Sequence, residues 1–385
     1  MKALNEIIKV NPEICEMILE TGAEDIFKCY QCGKCMIVCP WNQLENHLYP
    51  IYKFFQRIKL GAIIDSEEKA EIEVDVNEVF KCVGCDACYD TCPRGVNTSD
   101  ILRAVRRILV DFQSYPDTLK AVVQKIKNVG NPLGETSDER FDWTKELEFS
   151  EEADYRYFSC CISAYEYKEK NFNTVKMLQS AGVTLSKGEE TCCGEAIRRV
   201  GAEEVFEKSA NTNITSLNSA KDVIVTSPHC YATFKNEYPE LGLKATPIHI
   251  TQKLDELIQK KKLVPTKPLN KKVVYHDPCT LGRQNGIYDE PRNVLSSIPE
   301  LELLEVPRYN RESSMCCGAG SGGLWTESET EERIVDVRLK QLIDTGADII
   351  AVACPYCLQM FEETLKSMDS EIEVMDVSDL LYSSL

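Results

Sequence analysis

The chain has 385 residues, 43% of them apolar, enough for two or three domains with their own cores. With 62 acidic against 44 basic residues the net charge is −18, which argues against nucleic acid or an anionic membrane surface as partner. Nineteen cysteines without a signal peptide or a long apolar run read as reduced, metal-binding thiolates in a cytoplasm, not as a disulfide framework or a membrane protein.

Taken in order, residues 1–28 predict one or two amphipathic helices. Leu4, Ile7 and Ile8, then Ile14, Met17 and Ile18, recur at helical spacing, with Asn11-Pro12 as the break. Cys15 stands apart from every motif and reads as a buried structural thiol. Cys29, Cys32, Cys35 and Cys39-Pro40 follow, separated by two, two and three residues, and Cys82, Cys85, Cys88 and Cys92-Pro93 repeat that spacing. Proline-terminated runs of this kind hold cubane 4Fe–4S clusters, and the fourth cysteine of each run ligates the other cluster. One cluster is therefore expected on Cys29, Cys32, Cys35 and Cys92, the other on Cys82, Cys85, Cys88 and Cys39. Zinc sites would not call for this spacing.

The insert between the runs predicts a helix around Leu44–Lys59, with Tyr49, Tyr52, Phe54 and Phe55 as core, then a β-prone stretch, Ile63–Val76. Thr98-Ser99-Asp100 predicts a cap ahead of the apolar face Ile101, Leu102, Val105, Ile108 and Leu109. These features set a helical ferredoxin domain at 1–112. Residues 113–152 carry turn residues over Asn128–Gly134 and a polar, acidic run around Trp143, and are expected to be a linker over the surface.

An internal repeat begins near residue 153. Strand Tyr155–Phe158 runs into Cys160-Cys161. A helix ended by Gly182, then Cys192-Cys193-Gly194, strand Asp222–Thr226 and Ser227-Pro228-His229-Cys230 complete it. The second half reads likewise: strand Lys272–Tyr275, Cys279, strand Leu301–Val306, Cys316-Cys317-Gly318, a helix over Glu327–Thr345, strand Asp348–Ala353 and Cys354-Pro355-Tyr356-Cys357. Strands alternating with helices predict two α/β domains with parallel sheets, 153–265 and 266–385, with Pro265 and Pro268 at the seam. The cysteines fall at carboxyl ends of strands, where open sheets bind ligands.

In the second repeat, thirty-six residues separate Cys279 from Cys316, and thirty-six separate Cys317 from Cys354. Cys279, Cys316, Cys317, Cys354 and Cys357 exceed the four thiolates of a cubane or a zinc tetrahedron, and adjacent cysteines diverge. They point to a multi-iron cluster. The first repeat has Ser227 where the second has Cys354, yet also counts five: Cys160, Cys161, Cys192, Cys193 and Cys230. Three readings stay open. Cys160 replaces the missing ligand, or four thiolates hold a cluster beside a bystander Cys160, or the site is structural; a cluster of some kind is expected. Gly318, Gly320 and Gly323 have the spacing of a dinucleotide loop but not its preceding strand, and are expected to let backbone approach a cluster. His229 and His276 lie in the cysteine loops, either packed there or donating to cluster sulfur.

His276-Asp277-Pro278-Cys279, Cys316-Cys317-Gly318-Ala319-Gly320 and Cys354-Pro355-Tyr356-Cys357 resemble, in order and spacing, the motifs of the CCG domain of heterodisulfide reductase and its bacterial relatives. The chain as a whole resembles the D-type subunit of heterodisulfide reductase: a helical ferredoxin domain, then two CCG domains, the first degenerate at Ser227. The resemblance implies a noncubane 4Fe–4S cluster in the second CCG domain, beside the two cubanes, and leaves a further cluster open in the first. It implies an oxidoreductase subunit that works with partners in an anaerobic complex. The leading expectation is an electron relay between a flavoprotein or quinone-linked partner and a catalytic reductase subunit. Disulfide cleavage in the family uses both repeats, so Ser227 weighs against it. The alternatives are a CoB–CoM heterodisulfide or other disulfide reductase and a non-catalytic, cluster-stabilised scaffold.

Overall fold

Short helices bearing apolar residues at three- and four-residue spacing build the N-terminal region. The computed structural model describes residues 12–45, 47–59, 63–64, 74–326, 333–368 and 370–385. Helices Pro12–Glu20, Ile51–Lys59 and Thr98–Asp111 enclose a core that includes Ile18, Ile26, Phe54, Phe55, Ile58, Ile101 and Val105. Tyr49 meets Phe54 edge to face at 4.9 Å, so the aromatic cluster is core, with Tyr52 half-buried at its margin. The helix expected from Leu44 starts only at Ile51, after Pro50. Asn97, not Thr98, caps the long helix, its side chain accepting from the Asp100 amide at 3.2 Å. Cys15 is half-buried and bonds the Lys59 carbonyl at 3.2 Å, so it ties two helices together instead of lying in the core. Ile63–Ile64 and Val74–Asp75 pair as a two-stranded parallel ladder. The first expected helix, over 1–11, and the acidic stretch 327–332 lie outside the described residues.

The expected surface linker is a packed element instead. Leu119, Val122, Val123 and Ile126 recur at helical spacing and are buried on helix Asp117–Val129. Each such side chain stabilises the fold by about 1.5–3 kcal/mol. Gly130 ends the helix in the left-handed region (φ 76°). Asn131 Oδ1 then accepts from the amides of Leu133, Gly134 and Glu135, closing the turn. Beyond it Arg140 and Trp143 are buried against the first repeat.

Two four-stranded parallel sheets follow. The first comprises β1 (Tyr155–Phe158), β2 (Leu185–Ser186), β3 (Asp222–Val225) and β4 (Thr246–His249), ordered β2-β1-β3-β4. The second comprises β5 (Lys271–Tyr275), β6 (Leu301–Leu304), β7 (Ile349–Val352) and β8 (Glu373–Asp376), ordered β6-β5-β7-β8. Their topologies are identical. Tyr155 pairs with Asp222 in the first sheet and Val273 with Ile349 in the second, so equivalent strands carry the cysteine loops. Strands β4 and β8 extend one edge of each sheet, and Lys170 of the first repeat forms a fully buried ion pair with Asp376 at the end of β8. Tyr167 also donates to Glu362 at 2.6 Å across the seam.

The ferredoxin region is seated on both repeats. Buried Arg106 donates to the carbonyls of Val79, Cys82 and Arg199. Arg283 donates to the Cys85 carbonyl and Gln284 to that of Gly84, both at 2.8 Å.

Candidate metal centre

The two N-terminal cysteine runs fold alike. Residues two and four after the first cysteine of each run are left-handed: Gln31 and Gly33 in one, Gly84 and Asp86 in the other. Short helices Lys34–Val38 and Ala87–Thr91 then carry Cys35 and Cys88. The bend at Gln31 turns its N–H to Cys29 at 3.3 Å, and past the second run Val96 N–H donates to Cys92 at 3.4 Å. One pocket is lined by Cys29, Cys32, Cys35 and Cys92, together with Cys88. The other is lined by Cys39, Cys82, Cys85 and Cys88. Each fourth cysteine thus lies in the opposite run's pocket.

The thiols fit a soft, cationic guest. All nineteen are free, and the closest recorded sulfur pairs lie at 3.2–3.9 Å, well beyond a disulfide bond. Burial, aided by neighbouring thiols, pushes Cys35 up to about 11 and Cys39 higher still. Sulfurs crowded in this way ionise together only when a metal neutralises them. An all-sulfur donor set suits iron–sulfur clusters or zinc and not a hard cation.

In the second repeat the loops after β5, β6 and β7 bring five thiols together. Cys279 lies 3.9 Å from Cys316, and Cys317 lies 3.2 Å from Cys357. Cys316 also bonds Cys317, and Cys354 bonds Cys357. Gly318 N–H adds a donor to Cys316 at 3.3 Å. Arg338 Nε donates to His276 Nδ1 at 3.1 Å, and an arginine can only donate, so the imidazole proton sits on Nε2. Buried Nε2 has no hydrogen-bond partner, and a ring nitrogen of His276 and the sulfurs of Cys317 and Cys357 all lie within 4.8 Å of one another. Asp277 accepts a bidentate pair from Arg292, at 2.7 and 2.8 Å, and the Arg311 amide, which fixes the loop ahead of Cys279.

The first repeat is equally closed. Cys160, Cys161, Cys192, Cys193 and Cys230 are all buried, with Cys161 and Cys192 3.8 Å apart. Cys160 bonds both Cys161 and Cys230, so its sulfur belongs to the group. Ser227 is fully buried and its hydroxyl has no partner.

Buried arginines accompany the thiols, a feature the sequence did not single out. Arg106 stands by Cys82, and Arg283 by Cys85, Cys279 and Cys316. Arg140 stands by Cys161, with Nη1 unpartnered, and Arg338 by Cys316, Cys317 and Cys357. Burial holds Arg338 down to about 10, against the raising effect of Asp277 and the thiols. Fixed cations of this kind suit anionic thiolate clusters.

Two contacts join sites that the sequence treats as separate. The Cys85 and Cys316 side chains pack together, so the second ferredoxin pocket abuts the second repeat. Across the seam, the His229 ring faces the Cys354 thiol and lies 3.0 Å from Glu195, at ion-pair distance but without hydrogen-bond alignment. Burial opposes protonation of His229, yet Glu195 and Cys354 raise it well above the usual imidazole range. The glycine run has a second role beside the Gly318 N–H donated to Cys316. A Cβ on Gly320 would lie 2.4 Å from the Val83 carbonyl, so it seats the second repeat on the ferredoxin loop.

Comparison with known proteins agrees with this layout. Residues 25–96 match a 4Fe-4S dicluster domain, and residues 155–235 and 273–362 each match a cysteine-rich domain termed CCG. An EtfAB:quinone oxidoreductase of Syntrophomonas wolfei is 31% identical over 94% of this chain and 58% of its own length. An iron-sulfur-binding oxidoreductase of Bacillus subtilis is 30% identical over 94% of the chain and 60% of its own length. The chain therefore spans less than two thirds of those two relatives. The D-type subunit of the dihydromethanophenazine:CoB--CoM heterodisulfide reductase of Methanosarcina barkeri is 31% identical over 93% of both chains. With a ferredoxin region and two cysteine-rich repeats matched over nearly its whole length, the chain belongs to the family of heterodisulfide reductase D-type subunits and related iron–sulfur oxidoreductases.

Proposed function

We propose that the chain is the electron-relay subunit of a larger oxidoreductase complex in the cytoplasm. In this reading Cys29, Cys32, Cys35 and Cys92 hold one cubane, and Cys39, Cys82, Cys85 and Cys88 hold the other. Cys279, Cys316, Cys317, Cys354 and Cys357 hold the noncubane cluster. The bound clusters supply one-electron oxidation and reduction, which no side chain here provides. The observation that carries the reading is the contact of Cys85 with Cys316. It sets a ferredoxin thiol against a second-repeat thiol, and Arg283 steadies both sides. The chain's own residues then position the thiolates, exclude water from the repeats and balance charge through Arg106, Arg140, Arg283 and Arg338.

In the first repeat, the contact of Cys160 with both Cys161 and Cys230 supports the reading in which Cys160 replaces the ligand lost at Ser227. The partner by analogy with the relatives' names is an electron-transferring flavoprotein or a quinone-linked subunit, and no helix among the described residues is long and apolar enough to cross a membrane. Anaerobic purification with iron and sulfide counting tests the reading. Iron for three or four clusters is expected, and a colourless, zinc-bound protein would refute it.

A second reading, disulfide reduction by this chain alone, is favoured by one observation. Both repeats keep five thiols, all buried but half-buried Cys279, and meet at His229 and Tyr356. Reduced viologen with candidate disulfides separates the two readings, since sustained turnover without a partner excludes a pure relay.

A further inference from the structure

The closing motifs Ser227-Pro228-His229-Cys230 and Cys354-Pro355-Tyr356-Cys357 occupy equivalent places after β3 and β7. Their third residues meet across the seam between the repeats. The rings of His229 and Tyr356 lie 4.4 Å apart at 33°, and Trp325 packs edge-on to Tyr356 at 5.8 Å. Both stacked residues are buried. The imidazole of His229, from the repeat that lacks the first cysteine of its motif, faces the thiol of Cys354, the cysteine that the other repeat keeps.

A neutral aromatic ring would fill this space without the cost of burying a polar group. The imidazole is instead held in place. Glu195 follows Cys192-Cys193-Gly194 and faces His229 Nδ1 at 3.0 Å. Arg199, one turn later, holds Glu195 at 3.5 Å. With a carboxylate at one nitrogen, the ring presents a donor to Cys354.

We propose that His229 is a positioning residue that the first repeat supplies to the second: its imidazole, oriented by Glu195, donates a hydrogen bond to the Cys354 thiolate and raises the reduction potential of the iron–sulfur centre bound there. This rests on the reading that Cys354 ligates iron. A hydrogen bond draws electron density from the sulfur and so stabilises the more negative, reduced state. On reduction the centre gains one electron, no bond to protein forms or breaks, and the proton stays on the imidazole. The potential of the second repeat then depends on a side chain of the first.

The test uses the full chain, purified without oxygen, as wild type and as His229→Leu, His229→Gln and Glu195→Gln. Iron and sulfide are counted, and the second-repeat signal, assigned by its loss in Cys354→Ser, is titrated by electron paramagnetic resonance. His229→Leu is expected to keep its iron and to lower the reduced-to-oxidised ratio at fixed potential about tenfold, or about 59 mV for one electron. His229→Gln, whose amide can still donate, recovers most of the shift, and Glu195→Gln gives an intermediate one. A purely packing role would leave the potential unmoved. His229→Leu with full iron and the wild-type potential overturns the proposal. If that variant loses its iron, Glu195→Gln at the wild-type potential overturns it. Should Cys354→Ser leave the iron content and every signal unchanged, the iron site of the second repeat itself is refuted, a different failure from an unmoved potential.

Discussion

Arg140 is a residue whose role follows from where its charge lies. It is buried, pairs with Glu190 at 3.1 Å and donates to the Ser159 carbonyl at 2.6 Å. Removing one partner of such a pair leaves an uncompensated buried charge and costs about 3–5 kcal/mol. Arg140→Met is therefore expected to lower the unfolding free energy by about that amount in anaerobic denaturant titration, and Arg140→Met with Glu190→Leu to recover most of it. Cys160→Ser should lower the iron content of the purified chain, whereas Cys15→Ser should leave it unchanged; equal iron in both would return Cys160 to a bystander. His249 offers a stability test away from the thiols. Burial lowers its pKa from 6.5 to about 3, so the folded chain keeps it neutral while the unfolded chain protonates it below 6.5. Its contribution is complete above pH 6.5 and is lost as pH falls toward 3, by up to about 1.4 kcal/mol per pH unit. His249→Asn, which keeps a side-chain cap on helix Ile250–Gln259, should flatten this slope relative to wild type, as read from melts between about pH 4 and pH 6.5, within the interval in which folded and unfolded protonation differ.

Among the elements, the parts that the sequence marked are those with local chemistry. Strand Tyr155–Phe158 stands where its β-prone run places it, and the cysteine loops follow the strands as their spacing implies. Helix Asp117–Val129 had the spacing of Leu119, Val122, Val123 and Ile126 to announce it, but the Gly and Pro residues after it and the acidic run beyond drew the reading toward a linker. The four buried arginines could not be found from sequence, since nothing local separates a charge that packs under a thiol from one on a solvated face. The glycines divide in the same way. Gly182 is left-handed (φ +78°) with open space around it, so Gly182→Ala should cost about 1–2 kcal/mol of backbone strain alone. Gly201 is left-handed too, but a Cβ there would lie 2.6 Å from the Arg107 amide nitrogen and 2.7 Å from the Arg106 carbonyl carbon. Gly201→Ala should therefore destabilise clearly more in the same melt, because it also lifts the first repeat off helix Thr98–Asp111. Equal losses would mean that the docking of the repeat is slack.

At the scale of the whole molecule, one set of contacts joins the ferredoxin region to the second repeat and another joins the two repeats. Cys85 touches Cys316, Arg199 pairs with Glu195, and Glu195 faces His229, which reaches Cys354. In the N-terminal region Cys35 and Cys88 sit on five-residue helices that would not persist alone. Removal of metal by a chelator should accordingly loosen this region first. Limited proteolysis of the stripped chain is expected to cut within residues 12–96 while a fragment containing both sheets survives; simultaneous loss of both would show that the repeats depend on metal just as strongly.

Of all nineteen cysteines, Cys32 alone is exposed to solvent. A thiol is converted to sulfenic and higher acids where oxidant reaches it, and the thiols of the repeats are buried apart from half-buried Cys279. Air should therefore corrode the molecule from one end inward. A chain so damaged would keep its inner centres intact yet be cut off from the outside, so spent preparations would look full by colour while failing to exchange charge.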